Sequence, residues 1–122
     1  MKTSITKIFY FEAAHKLPNH DGKCANLHGH SYRFEITVMG EIIKEGPKEG
    51  MVMDFADLSK IVNSEILEKW DHQFLNDILP FTTTAENLAT EIFKILKNKN
   101  ISASKVRLWE TAKAYATVED ND

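Results

Sequence analysis

Two stretches of alternating apolar and polar residues, Ile5 to His15 and Gly29 to Ile43, constrain this chain more than any other feature. Side chains alternate faces along a strand, so a period of two describes a half-buried β-strand rather than a helix. In the first stretch Ile5, Lys7, Phe9, Phe11 and Ala13 share one face, with Ile8, Tyr10 and Glu12 on the other. His15 continues the row of Phe9 and Phe11. In the second stretch Tyr32, Phe34, Ile36 and Val38 share a face that extends back to His28 and His30, while Arg33, Glu35 and Thr37 take the opposite one. Between them, Lys16 to Leu27 carries Pro18, Asn19, Asp21 and Gly22, whose turn chemistry marks a loop. Two long strands joined by such a loop are expected to pair antiparallel. That pairing can bring His15, at the end of the first strand, beside His28 and His30 at the start of the second.

The rest of the chain supplies layers for this pair. Lys44 to Gly50 reads as a turn and Met51 to Met53 as a short extended run. Asp54 suits a helix N-cap, and Phe55, Leu58, Ile61, Val62, Ile66 and Trp70 form the apolar stripe of the helix that follows. Leu75 to Pro80 reads as irregular. Thr83 and Glu86 have capping-box spacing before a second stripe of Leu88, Ala89, Ile92, Phe93 and Leu96. Ile101 to Glu119 alternates again and turns at Ala112-Lys113-Ala114, which predicts two more strands. The expected order is ββααββ, an α+β domain over residues 1–122 with two helices on one face of a four-stranded antiparallel sheet.

Composition narrows the function classes. The net charge is −3 and the Lys and Arg residues are scattered, so there is no basic footprint for nucleic acid. No signal-peptide core and no apolar run long enough for a membrane span is visible, so a cytoplasmic protein is expected. A lone cysteine makes neither an internal disulfide nor a Cys-rich zinc finger.

Four groups of residues can carry chemistry. His15, His28 and His30 offer three imidazoles with no evident fourth protein ligand, the arrangement of a catalytic zinc site with an open position. The plainer alternative is a pair of surface histidines beside an inert thiol. Cys24 is a nucleophile or base only as thiolate, a form that a nearby cation favours, and is otherwise a small buried hydrophobe. Asp71-His72 pairs a carboxylate with a proton carrier, or simply ends the helix. Glu110, on the strand face of Val106 and Leu108, offers two acceptor oxygens to a planar ligand, or an ion pair to Lys105 or Lys113. His20 lies in the loop and is assigned no role.

The combination Phe11-Glu12-Ala13-Ala14-His15, Cys24-x3-His28-Gly29-His30, Val52-Met53-Asp54-Phe55, Asp71-His72-x2-Leu75-Asn76, Thr84-Ala85-Glu86-Asn87 and Glu110-Thr111 resembles the 6-pyruvoyltetrahydropterin and 6-carboxytetrahydropterin synthase family over nearly the whole chain. The resemblance implies a tunnelling fold (T-fold), whose subunits join sheets into a barrel, commonly as trimers stacked into a hexamer, with active sites between subunits. It implies zinc on His15, His28 and His30, Cys24 as the proton-transferring thiolate, and His72 with Asp71 as a second acid–base group. Glu110 would anchor the amino-pyrimidine edge of the pterin. The implied substrate is 7,8-dihydroneopterin triphosphate, and the short Cys24-x3-His28 spacing is similar to that of the bacterial carboxytetrahydropterin enzymes of queuosine biosynthesis. The pyruvoyl branch remains the alternative, together with a non-catalytic pterin-binding module and a structural zinc domain that uses Cys24 as fourth ligand. Thr83 stands where many relatives carry proline, a change expected to leave the chemistry alone. Lys16, Lys23, Arg33 and Lys113 are the candidate cations for the triphosphate.

Overall fold

The computed structural model describes residues 1–120. The two alternating stretches form β1 (Thr3–His15) and β2 (His28–Gly40), paired antiparallel over their full length. Strand β2 starts one residue earlier than expected, at His28, and ends at Gly40, short of Ile43. Beyond Gly40 the chain closes a loop in which Ile43 and Met51 share a backbone hydrogen bond.

The first helical region begins with α1 (Phe55–Val62), and Asp54 caps it as expected, accepting the Ala56 N–H at 2.8 Å. It continues through a wide π-helical turn (Asn63–Leu67) into α2 (Glu68–Trp70). The buried residues Leu58, Val62, Ile66 and Trp70 recur every fourth position. On a regular helix each such step drifts about 40° around the axis. A wider turn reduces that drift, which keeps Ile66 and Trp70 facing the sheet.

A short strand, β3 (Gln73–Phe74), follows and pairs parallel with Ala13-Ala14 of β1. The sheet is therefore five-stranded and mixed, in the order β3-β1-β2-β4-β5, rather than four-stranded and purely antiparallel. Two residues without alternation carry no periodic signal, so β3 could not be read from the sequence. The stretch expected to be irregular contains a single helical turn, α3 (Leu75–Ile78). The second long helix is α4 (Ala85–Asn98), and β4 (Ala103–Thr111) and β5 (Ala114–Glu119) complete the sheet.

One face of the sheet carries the core. Phe9, Phe11, Tyr32, Phe34, Ile36, Val106 and Leu108 pack against Leu58, Val62, Ile66, Leu88, Ile92 and Leu96 from the helices. The opposite face is uncovered and mixes aromatic with charged side chains. There Arg33 lies 4.5 Å over the Trp109 ring, which packs on Tyr115 at 4.6 Å. Tyr10 on the same face is 65 % exposed. The edge strand β5 leaves one row of backbone groups without a strand partner. No helix is long and apolar enough to cross a membrane among the described residues.

The cap of α4 differs from the expected Thr83–Glu86 box. Thr84 is the N-cap, with its Oγ1 accepting the Asn87 N–H at 3.2 Å, while Thr83 is buried and turned elsewhere. Thr84→Ala should lower stability by about 1 kcal/mol, with Thr84→Ser near wild type. Urea unfolding of the two variants checks this; an equal loss in both would contradict a hydroxyl cap.

Candidate functional site

The β1–β2 register places His15 opposite His28 and Ala13 opposite His30. All three histidines lie on the helix-facing side, so their rings crowd together. Centroids are 4.5 Å apart for His15–His28, 4.9 Å for His28–His30 and 5.1 Å for His15–His30. One nitrogen from each lies within 4.8 Å of the others. Among the described residues this is the one such group of metal-capable side chains, and Cys24 does not belong to it.

Two of the rings are held by backbone carbonyls. His15 Nδ1 is 2.8 Å from the Thr83 carbonyl oxygen, and His28 Nδ1 is 2.7 Å from that of Asn26. A carbonyl oxygen only accepts, so each Nδ1 carries the proton and each Nε2 presents its lone pair. All three Nε2 atoms, that of His30 included, are buried with no hydrogen-bond partner among the described residues. Convergent lone pairs without a donor are unfavourable by themselves and suit a cation. Burial, the largest cause, pushes His15 and His30 below the ordinary histidine pKa, and neighbouring imidazoles add to it. The neutral form that a metal requires is thus the one the fold favours. Three imidazoles fit a zinc-type ion with one position left open.

Thr83 is the residue whose part the sequence reading missed. It is fully buried, and both its carbonyl and its Oγ1 face His15 Nδ1, the latter at 3.2 Å. Asn87 holds this segment from the side, its Nδ2 donating to the Thr82 carbonyl at 2.8 Å and its N–H to Thr84. The Thr84-Ala85-Glu86-Asn87 run therefore anchors the carbonyl that orients His15. The position is not neutral to the site as expected. No residue-type signal could have found it, because the contact is made by backbone.

Glu110 lies beside the cluster, its Oε2 3.5 Å from His30 Nε2, too long for a strong hydrogen bond. Next to it is Tyr32, fully buried and stacked on Phe11 at 4.7 Å. Burial first, and the Glu110 charge second, hold the phenol well above its ordinary pKa.

Asp71 and His72 do form a pair, with His72 Nδ1 3.0 Å from Asp71 Oδ1. Both are pinned to one residue of β1: the Glu12 N–H donates to Asp71 Oδ1 at 2.8 Å, and the His72 N–H donates to the Glu12 carbonyl at 2.6 Å. The Glu12 N–H, then His72, holds the Asp71 carboxyl below its usual range. His72 has φ +60°, an unusual backbone state for a non-glycine residue, and its side chain is 76 % exposed. Asn76, four residues on, clamps Lys16 by two bonds of 2.9 and 2.8 Å, which fixes the chain just past His15. An open groove of 530 Å³ is lined by His72, Glu12, Ser31 and His30 among others. The structure thus gathers the three histidines with Glu110 and, separately, Asp71 with His72, the groove touching both sets. Cys24 sits half-buried in a 3₁₀ turn (Lys23–Ala25) and joins neither.

Because His15 and His30 are neutral in the fold yet titrate near pH 6.5 when unfolded, their stabilising contribution is complete above that pH and lost as pH falls through it. The metal-free protein should lose thermal stability below about pH 6.5, and the rise in Tm on adding Zn²⁺ should shrink over the same range. Thermal melts from pH 5 to 8, with and without Zn²⁺, measure both; a Zn²⁺ increment independent of pH would contradict the three-histidine site.

The family model described as 6-pyruvoyl tetrahydropterin synthase matches residues 4–121. A Haemophilus influenzae protein named 6-carboxy-5,6,7,8-tetrahydropterin synthase is 39% identical over 95% of this chain and 98% of its own. One of the same name from Synechocystis is 40% identical over 92% and 89%. Among solved structures, the 6-pyruvoyl tetrahydropterin synthase of Caenorhabditis elegans superposes with a TM-score of 0.84 at 30% identity, covering 99% of this chain and 97% of that one. By family model, identity and fold together, this chain belongs to the 6-pyruvoyl tetrahydropterin synthase family of enzymes.

Proposed function

We propose that this protein is a zinc-dependent 6-carboxy-5,6,7,8-tetrahydropterin synthase, which converts 7,8-dihydroneopterin triphosphate with release of acetaldehyde and triphosphate. The observation that carries the reading is the convergence of three buried, unpartnered Nε2 atoms beside Glu110. The kinship to proteins of that name and the Cys24-x3-His28 spacing favour this product over 6-pyruvoyltetrahydropterin.

His15, His28 and His30 would hold zinc, which supplies Lewis-acid stabilisation of charge developing on the substrate's side-chain oxygens. Glu110 meets the amino-pyrimidine edge of the pterin, where ring N–H and amino groups together present two donors to its two oxygens. Cys24, as thiolate, moves a proton at the side chain. His72 moves the second, its ring oriented by Asp71, which the Glu12 N–H in turn keeps ionised. Holding His72 at φ +60° aims its imidazole out of the fold and toward solvent, a backbone state more often kept for function than for stability.

A single chain does not bring Cys24 to either histidine group, and the β5 edge is unpaired by any strand of the same chain. Both features support a homo-oligomer, a trimer or a hexamer of stacked trimers, in which sheet edges pair into a barrel and a neighbouring subunit completes each site. The enzyme acts in the cytoplasm in queuosine biosynthesis.

The deciding experiment incubates the zinc-loaded protein with 7,8-dihydroneopterin triphosphate and identifies the products by mass spectrometry. Acetaldehyde and a carboxypterin are expected; a pyruvoyl product without acetaldehyde would move the protein to the other branch, and no turnover would favour a binding module. Separately, His72→Asn should leave stability within about 1 kcal/mol of wild type, since asparagine tolerates positive φ. The same variant should cut turnover by roughly 10²–10⁴. A variant of normal rate would remove His72 from the reaction.

A further inference from the structure

The Tyr32 hydroxyl is buried with no hydrogen-bond partner among the described residues, although the residue is 0% exposed. Native folds rarely bury a hydroxyl in this way unless something outside the chain accepts its proton. Its position says what that something is. The ring lies 5.4 Å from that of His30 and 6.1 Å from that of His15, and it is stacked nearly parallel on Phe11. The β2–β4 register that sets Arg33 opposite Trp109 carries Tyr32 next to Glu110 on the helix-facing side. Tyr32 therefore floors the space that the three histidines wall and Glu110 flanks.

A phenylalanine would fill the same volume and stack on Phe11 equally well, so packing gives no reason for the oxygen. The hydroxyl remains protonated in these surroundings, and a fixed O–H donor beside a cation-binding cluster is complementary to an oxygen atom arriving there.

We propose that Tyr32 is a positioning residue whose hydroxyl donates a hydrogen bond to a side-chain oxygen of the ligand seated at the three-histidine centre. This rests on the pterin reading above and deepens it: Glu110 holds the ring, while Tyr32 registers the hydroxylated side chain against the histidines. Water takes the same bond when no ligand is bound.

The test is Tyr32→Phe in the zinc-loaded, assembled protein, with binding of neopterin and of 6-methylpterin measured by calorimetry. Neopterin carries the side-chain hydroxyls and 6-methylpterin does not. The variant should bind neopterin about five- to tenfold more weakly and 6-methylpterin unchanged. Equal weakening of both would mean that the hydroxyl acts through Glu110 and the ring, and would overturn the proposal, as would no weakening of either. Metal-free Tyr32→Phe should melt at or above the wild-type temperature; a clear drop would show that the hydroxyl is bonded within the protein, against the proposal. Should wild type bind neither pterin, the substrate reading itself fails. The hydroxyl is then judged with acetohydroxamate on the zinc-loaded protein, whose affinity the variant should lower by the same factor and whose indifference would overturn it.

Discussion

The site depends on the register of a single antiparallel pair. With His15 opposite His28 and Ala13 opposite His30, one ladder sets three imidazoles on one side of the sheet at ring separations near 5 Å. A slip of one residue would turn one strand's histidines to the other face and dissolve the cluster. The register is held by the same side chains that build the core: Phe9 stacks on Phe34 at 5.2 Å and Phe11 on Tyr32 at 4.7 Å, directly across the two strands. Core burial and site geometry are thus one constraint, and substitutions in this aromatic row act on both.

Around that pair, backbone groups tune the side chains. The carbonyls of Thr83 and Asn26 choose which nitrogen of His15 and His28 is free. The N–H and carbonyl of Glu12 hold Asp71 and His72 in place. Asn76 and Asn87 contribute by fixing the segments that present these groups, Asn76 at Lys16 and Asn87 at Thr82 and Thr84. Residues of the family motifs that touch no reacting atom therefore have a physical reason to be where they are. They keep the imidazoles neutral, oriented and poised for a cation.

The two faces of the sheet divide the labour. The helix-facing side buries the core and ends in the histidine cluster, and the other remains open, with stacked Arg33, Trp109 and Tyr115 and the free edge of β5. Such a face and edge are suited to association, and the separation of Cys24 from the histidine groups is consistent with a site finished by a second chain.

Much of this was legible in the residues. Alternation in β1, β2, β4 and β5 and the helical stripes need only local periodicity, which the solvent-to-core gradient imposes on any chain, and Asp54 announced its own cap. The candidate site residues could be named because their side-chain chemistry is specific and their motifs recur together. Tertiary structure decided the remainder. Strand β3 forms because Glu12 and Ala13 offer an edge to a segment with no periodic signal of its own. Thr83 yields the cap to Thr84 because its carbonyl is taken by His15, 68 residues away. The orphaned Tyr32 hydroxyl is visible only once its neighbours are in place. Contacts made by backbone atoms across long sequence separations leave no residue-type imprint, so the chain could declare its elements and its chemistry but not the hydrogen bonds that orient them.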